Sequence, residues 1–193
     1  MRTHPSNPRS RNGFSIIELL IVVGIILVVT TIAFPSVTRS MRAYRLSSTA
    51  ANVAGSLQLA RFNAVRLNRT NPPVSWRWVI QGNQNILWVD ENNNGAPDAT
   101  EPRVQFATDI TVLTAGNAPS VASMGYASTQ ISPGAIAFDA RGTVNFGANA
   151  PTVYVLVFGF AGLPAEGYTA VSVTPFGKMQ QWRASANGKW QKR

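Results

Sequence analysis

The sequence of 193 residues predicts an α+β fold in which one long N-terminal helix, half transmembrane and half amphipathic, packs on an antiparallel β-sheet or sandwich. Three observations predict this fold. An apolar segment lies near the start, a segment with helical periodicity follows it, and short runs of alternating polarity fill the remainder. Charged residues are 13% of the chain, against a usual share of roughly 25%, which argues against a coiled coil or a long soluble bundle.

The composition also limits the chemistry of the chain. It has no Cys, and its single His, His4, lies close to the N-terminus. Thiol nucleophiles, Ser-His pairs and zinc sites built on Cys or His therefore lack their central residue. We expect a protein that is not an enzyme. Its formal net charge of +9 points instead to membranes or nucleic acid as partners.

The apolar segment, Phe14 to Phe34, has Glu18 as its only ionisable side chain. As a helix it is about 31 Å long, which matches the roughly 30 Å hydrocarbon core of a bilayer. It is longer than the apolar part of a usual signal peptide, and a carboxylate costs roughly 2.5 kcal/mol or more at mid-membrane. We predict a transmembrane helix at 14–34. The alternatives are a signal peptide cut near Ala33 and an ordinary anchor with Glu18 near the headgroups.

The junction before the apolar segment has a distinctive pattern. A short basic leader ends at Gly13, Phe14 opens the apolar run, and Glu18 follows four residues later. This pattern resembles the class III signal of type IV prepilins and type II secretion pseudopilins. The resemblance implies a leader peptide at 1–13, cleavage between Gly13 and Phe14 by a membrane prepilin peptidase, and methylation of the new Phe14 amine by that peptidase/methyltransferase. It also implies a single-pass protein of the bacterial inner membrane with a periplasmic globular domain.

The residues at this junction have suitable chemistry for those roles. Gly13 has no side chain to obstruct a protease cleft, and cleavage leaves an ammonium on Phe14 in the region where Glu18 is costly. A neighbouring subunit can supply the counter-charge. In the resembled family this pairing is thought to set the axial register, and many members have a helix-loosening Pro at the position of Pro35. The resemblance thus assigns assembly roles to Phe14, Glu18 and Pro35, with other pilins as partners.

The segment 35–71 is predicted to continue the spine as an amphipathic helix that ends before Pro72 and Pro73. We interpret its arginines as a solvated basic face, with lipid headgroups or acidic neighbours in a filament as alternatives. The apolar stripe consists of Leu46, Ala50, Val53, Leu57, Ala60, Ala64 and Leu67, and the arginines off it are Arg39, Arg42, Arg45, Arg61, Arg66 and Arg69.

The β-rich globular domain is predicted at 72–193. Its first two strands, 74–80 and 86–89, form a hairpin around Gln81 to Asn85. Asp139 to Gly142 is a turn. Together with the end of the helix and an Asp/Asn-rich loop, these features resemble the GspH/FimT family of minor pilins and pseudopilins, which implies a structural subunit at or near a filament tip that primes assembly or contacts partners. Further strands are predicted at 103–107, 110–113, 121–126, 135–138, 143–146, 152–160, 168–173 and 178–183.

The Asp/Asn-rich loop is a candidate calcium site. Its oxygen side chains have the ligand order of an EF-hand loop, with Gly95 at the sharp turn, and calcium prefers six to eight oxygen ligands. The flanking strands, where an EF-hand has helices, favour the alternative of a turn that is hydrogen-bonded to itself. The candidate ligands are Asp90, Asn92, Asn94, Asp98 and Glu101.

The C-terminal tail combines positive charges with two Trp rings, a composition that suits phosphates and unpaired bases. Some FimT-like relatives capture DNA through a G-R-x-R motif near the C-terminus, and Gly177 to Gln180 departs from it at both Arg positions. The tail therefore carries an alternative function, a DNA-binding minor pilin for DNA uptake in natural transformation. The simpler alternative is a frayed, solvated end. The candidate residues are Lys178, Trp182, Arg183, Lys189, Trp190, Lys192 and Arg193.

Overall fold

A computed structural model describes residues 14–81, 84–106 and 109–193. The predicted leader at 1–13, including Gly13, and the centre of the first hairpin turn lie outside the described residues. The chain divides into two compact units, the N-terminal unit Met1–Ser40 and the globular unit Met41–Arg193. The helix α1 (Ile16–Arg66) contributes to both units.

In the N-terminal unit, α1 is long and apolar enough to cross a membrane once, and its most apolar window has no buried residue. The helix continues through Pro35, although Pro removes one backbone hydrogen bond. Polar side chains in this stretch bond back to the helix: the hydroxyl of Thr30 donates to the carbonyl of Ile26 at 2.7 Å, and that of Thr31 to the carbonyl of Val28 at 2.8 Å. These bonds satisfy hydroxyl groups that lipid could not.

In the globular unit, the predicted apolar stripe is buried from Leu46 to Ala64, whereas Leu67 lies beyond the end of α1 and is half-buried, because the helix ends before the predicted residue 71. The helix ends at Arg66 with a left-handed residue, Asn68, at φ 48°. The amide of Arg69 donates to the carbonyl of Ala64, and the amide of Asn68 to that of Val65. This pair of bonds is a Schellman ending, which satisfies the last carbonyls before the two prolines that follow.

Two sheets accompany the helix in the globular unit, and they confirm the α+β prediction. The strands are β1 (Val74–Gln81), β2 (Gln84–Asp90), β3 (Arg103–Phe106), β4 (Ile110–Leu113), β5 (Thr129–Ile131), β6 (Ala135–Phe138), β7 (Val153–Phe160), β8 (Tyr168–Val173), β9 (Met179–Ala184) and β10 (Trp190–Lys192). One sheet has the order β3-β2-β1-β6, and the other has the order β10-β9-β8-β7-β4, with β5 parallel to β7. The other strand pairs are antiparallel.

The main core lies where the helix stripe meets the inner faces of both sheets. Trp76 and Phe138 from the first sheet and Phe158 from the second are fully buried there. Trp76 also donates its indole N–H to the hydroxyl of Ser56 on the helix at 2.9 Å. The alternation along the strands therefore places one face on the helix.

The opposite face of the second sheet has a smaller core of its own. Val155 and Val157 on β7 and Ala170 on β8 are covered by Val121, Met124 and Trp190. Because both faces of β7 are buried, this strand is the most apolar of the chain, as its sequence indicates.

Two predicted strands are wrong. The segment 121–126 contains a 3₁₀ turn, Ala122–Met124, in which Val121 and Met124 are three residues apart and share one buried side. The segment 143–146 makes only an isolated bridge between Val144 and Phe138, because the amide and hydroxyl of Thr143 bond to the carboxylate of Asp139. Two short strands, β5 and β10, were not predicted.

Candidate functional site

The start of α1 carries the residues of the predicted prepilin junction. Phe14 is 77% exposed, and Glu18 lies exposed in the first turn of α1, where the unpaired amides favour a negative charge. In the part of the chain that the structure describes, no salt bridge includes Glu18. The Glu18 carboxylate therefore lacks a cationic partner among those residues. The roles of Gly13, Phe14, Glu18 and Pro35 in processing and assembly stay predictions.

A second apolar stripe lies on the side of α1 that faces away from the core. We call it the outer stripe; its large side chains form two groups, and the exposed small residues Ala51 and Gly55 lie between them. The buried stripe is offset from it by about half a helical turn, so the helix is apolar on two opposite sides. The members of the outer stripe within the globular unit are Met41 (54% exposed), Tyr44 (74%), Leu59 (37%), Phe62 (60%) and Val65 (48%).

The sequence analysis missed the outer stripe, although its spacing of three and four was visible in the sequence. Met41 and Tyr44 are three residues apart, as are Leu59 and Phe62. The inner stripe is more regular and accounts for a helix in this segment by itself. Which of the two stripes the sheets cover is evident only from the fold.

Three of the helix arginines bond to the globular domain, which corrects the prediction of a purely solvated basic face. Arg42 pairs with Glu166 at 2.6 Å and Arg45 with Asp109 at 3.1 Å. The Nε of Arg61 donates to the carbonyl of Gly142 at 2.8 Å. These contacts flank the inner stripe and fix the rotation of the helix on the sheets, because each joins a helix side chain to a distant loop.

Glycines permit the contact at Arg61. Gly142 and Gly177 both have φ +73°, a conformation that favours glycine. A Cβ on Gly177 would lie 2.3 Å from the carbonyl oxygen of Gly142 and 2.9 Å from the Arg61 Nε. The loop between β8 and β9 therefore approaches the helix more closely than any larger residue allows.

The turn that presents Gly142 is organised by Asp139. Burial raises the pKa of Asp139, but hydrogen bonds from Thr143 and Arg141 outweigh it, and the pKa is lowered below its ordinary value. The Asp139 carboxylate accepts from the amides of Arg141 at 2.9 Å and Thr143 at 3.0 Å. This carboxylate is thus a structural group of the turn.

The loop predicted to bind calcium is held by internal hydrogen bonds. Asp90 is fully buried and accepts from the Nε of Arg77 at 2.6 Å. Its carboxylate oxygens also accept the amides of Asn94 at 3.0 Å and Gly95 at 2.9 Å. At the other end, Glu101 accepts the amides of Glu91 and Asp98. Both ends of the loop therefore use their carboxylates for structure.

The middle of the same loop is also held by internal hydrogen bonds. Asn92 and Asn94 direct their amide N–H groups to one oxygen of Asp98, at 2.7 and 3.0 Å. Within the described ranges, no group of three or more His, Asp or Glu could hold a metal ion. This geometry favours the self-bonded turn. Calcium at this loop stays a prediction, and a calcium titration with the melting temperature as readout tests it.

The structure separates the candidate residues of the tail. The Trp190 ring is buried and donates its N–H to the carbonyl of Ser120 at 2.9 Å. Trp182 donates to the hydroxyl of Ser172 at 2.9 Å, and its ring packs edge-on against Tyr126 with centroids 5.9 Å apart. The end of the chain is therefore a paired strand and not a frayed segment, and the Trp190 ring is buried while the Trp182 ring is half-buried.

The cations of the tail are spread along β9 and its partner β10. Lys178 precedes β9 beside Gly177, at the end of the globular unit where α1 finishes. Arg183 lies near the other end of β9, Lys192 pairs with Trp182, and the amide of Arg193 donates to the carbonyl of Gln181. The predicted DNA-binding residues therefore follow the length of the hairpin and do not form a compact cluster.

Comparison with known proteins adds one match. Residues 8–34 match the model of the prokaryotic N-terminal methylation motif. No curated protein and no solved structure gives a significant match. The motif, the single apolar helix that follows Phe14 and the α+β architecture support a type IV pilin-like protein with a membrane anchor.

Proposed function

We propose that this protein is a minor pilin or pseudopilin of the GspH/FimT type. It is a structural subunit, without enzymatic activity, of a type IV pilus or a type II secretion pseudopilus. It joins the filament at or near the tip after a prepilin peptidase has removed residues 1–13 and methylated Phe14. At the tip it primes assembly or contacts partners. Support comes from the methylation motif at 8–34 and from the helix that continues it.

The observation that carries this proposal is the outer stripe of α1. Burying a large apolar side chain contributes about 1.5–3 kcal/mol, so five exposed ones represent a substantial driving force for association. Small residues in the middle of the stripe, Ala51 and Gly55, leave room for another helix to approach. We infer that helices of neighbouring pilins cover this stripe.

Glu18 supplies the specificity of the proposed assembly. A carboxylate in a membrane is costly without a partner, and none of the salt bridges of the described residues includes it. The methylated amine of Phe14 on an adjacent subunit is a cation at the same depth. Before assembly, the protein resides in the bacterial inner membrane with its globular unit in the periplasm.

Neutralising Glu18 tests the proposal. In cells that produce the full chain with its filament machinery, Glu18→Gln should remove the protein from the sheared filament fraction while it remains in the membrane fraction. Glu91→Gln is the matched control, because its side chain still accepts the hydrogen bond from Asn63. Equal recovery of both variants in filaments would refute an assembly role for Glu18.

Deleting the gene identifies the type of filament. Loss of surface pili with normal protein export indicates a pilus subunit, whereas retention of exported proteins in the periplasm indicates a pseudopilin. Loss of neither refutes the proposed function. Mass spectrometry of the mature protein should give an N-terminal methylated Phe14, and replacing Gly13 by Leu should leave residues 1–13 attached.

DNA binding is not advanced as a second function. Trp190 is buried, and Trp182 is half-buried against Tyr126, which restricts base stacking on these rings. The exposed tail cations are spread along β9 and β10 and do not form a compact cluster.

A further inference from the structure

The globular unit has a basic groove at the end where α1 enters it. The groove lies between the turn Pro164–Glu166 and the hairpin of β9 and β10, and it is open with a volume of about 450 Å³. Arg183, Lys189 and Gln191 line it. We call this the entry groove.

Contacts with α1 show that the entry groove lies at the end of the globular unit where the helix enters. Arg42, the second residue of the globular unit, pairs with Glu166 at 2.6 Å. Arg193 donates to the hydroxyl of Ser47, and both residues line a small cleft that shares Arg183 and Glu166 with the entry groove. The opposite end of the unit, where Arg61 contacts Gly142, is the far end of the helix.

The charge of the entry groove is positive. Its single acid, Glu166, is occupied by Arg42, and its side chain is only 15% exposed. Arg183, Lys189 and Arg193 take part in no ion pair among the residues that the structure describes. An exposed apolar side chain, Leu163 at 41%, adjoins the turn. Cations beside an exposed apolar residue match a lipid–water interface.

The position in the chain brings this end close to a bilayer. Arg42 follows Phe34, the last residue of the predicted membrane segment, by eight residues. Eight residues span at most about 29 Å even when fully extended, so the tether alone keeps this end of the globular unit near the bilayer, whatever the arrangement of the two units. Anionic headgroups are therefore a source of negative charge within reach of the groove.

We propose that the entry groove binds the phosphate of an anionic phospholipid in the membrane that anchors the chain. This binding holds the globular unit at the bilayer surface before the subunit joins a filament. The proposal rests on the membrane anchor and not on filament assembly. It explains why the exposed cations Arg183 and Lys189 flank this end of β9.

Other occupants fit less well. Nucleic acid would gain little stacking, because Trp190 is buried and Trp182 is half-buried against Tyr126. A second copy of the chain offers few acids, because Asp90 and Glu101 are tied within their loop and Asp109, Asp139 and Glu166 have arginine partners. The anionic membrane is the nearest source of negative charge.

The test uses the full chain in lipid nanodiscs made of phosphatidylcholine alone or mixed with phosphatidylglycerol. We expect slower amide hydrogen exchange in segments 163–167 and 183–191 when phosphatidylglycerol is present, and loss of this protection at high salt. Replacing two cations, Arg183→Gln with Lys189→Gln, should reduce the protection factor by about 25-fold, because each cation near an anionic surface contributes about five-fold.

The matched control removes the same charge at the far end of the helix, Arg66→Gln with Lys178→Gln, and should leave the protection unchanged. Melting followed by circular dichroism checks that both double variants fold. Equal protection in the two lipid mixtures, or equal loss in the two double variants, would overturn the proposal while leaving the proposed function intact.

Two further samples identify the anion. In phosphatidylcholine nanodiscs, neither inorganic phosphate nor a short single-stranded oligonucleotide should protect the two segments. Full protection by phosphate would mean that the groove binds a free anion and not a lipid. Protection by the oligonucleotide alone would assign the groove to nucleic acid. Either result overturns the proposal. Failure of the chain to insert into nanodiscs would refute the membrane anchor itself.

Discussion

The two apolar sides of α1 in the globular unit have similar chemistry and opposite environments. The inner stripe, with Val53 and Leu57 at its centre, is fully buried against two sheets. The outer stripe, with Tyr44 and Phe62, is mostly exposed. Apolar area is stabilising only where it is removed from water, so the inner stripe serves folding. The outer stripe gains nothing in the isolated chain, which is the reason to infer that it serves association.

The first prediction compares one leucine of the inner stripe with one of the outer stripe, two residues apart in the helix. Leu57 is completely buried and Leu59 is 37% exposed. We expect Leu57→Ala to lower the free energy of unfolding by about 2–5 kcal/mol, because it leaves a cavity in the core. Leu59→Ala should lower it by only about 1 kcal/mol, because the side chain is partly exposed and its removal leaves no closed cavity.

Denaturant unfolding of the full chain in detergent, followed by Trp fluorescence, measures both values. The two variants have the same change in helix propensity, so each is the control of the other. Similar losses for Leu57→Ala and Leu59→Ala would mean that the outer stripe is covered within the single chain, contrary to the structure.

The second prediction concerns the contact that fixes which side of the helix faces inward. Gly177 and Gly147 both have positive φ, at 73° and 57°, but only Gly177 has neighbouring backbone in the way of a Cβ. Gly147→Ala should cost about 1 kcal/mol for the left-handed conformation. Gly177→Ala should cost about 1–3 kcal/mol more, because the loop must move away from Arg61 and Gly142.

Thermal melting of the two glycine variants measures this difference. A larger loss for Gly177→Ala supports the close contact between the loop and the helix. Equal losses would show that the backbone conformation alone requires glycine at both positions, and that the contact at Arg61 does not stabilise the inward orientation.

The sequence was sufficient for features that local chemistry determines. The bounds of β4, β6 and β8 agree with the structure because each alternating run ends at a turn residue, and the inner stripe follows from helical spacing alone. Long-range packing could not be read from the sequence. Trp190 gives no sign that its ring covers β7, and the residues 121–126 alternate like a strand while forming a 3₁₀ turn.

The candidate sites likewise combine features that the local sequence determines with features that depend on distant partners. The Asp90 loop has the ligand order of a calcium loop, but Arg77 comes from β1 and donates to the Asp90 carboxylate. No local pattern could reveal that partner. The tail cations are exposed, and their distribution along β9 and β10 depends on the hairpin that these strands form, which no local pattern in the tail indicates.

The variant with the smallest expected effect on stability tests the proposed association between subunits most directly. Phe62 is 60% exposed on the outer stripe, so Phe62→Ser should change the free energy of unfolding by no more than about 0.5 kcal/mol. The same change should lower the amount of protein in sheared filaments several-fold, because it removes a large apolar contact between helices. Phe176→Ser is the matched control: Phe176 is 80% exposed but lies on the loop between β8 and β9. Immunoblots of sheared and membrane fractions measure incorporation. If both serine variants enter filaments as well as the unmodified chain does, the outer stripe is not the surface that neighbouring subunits cover.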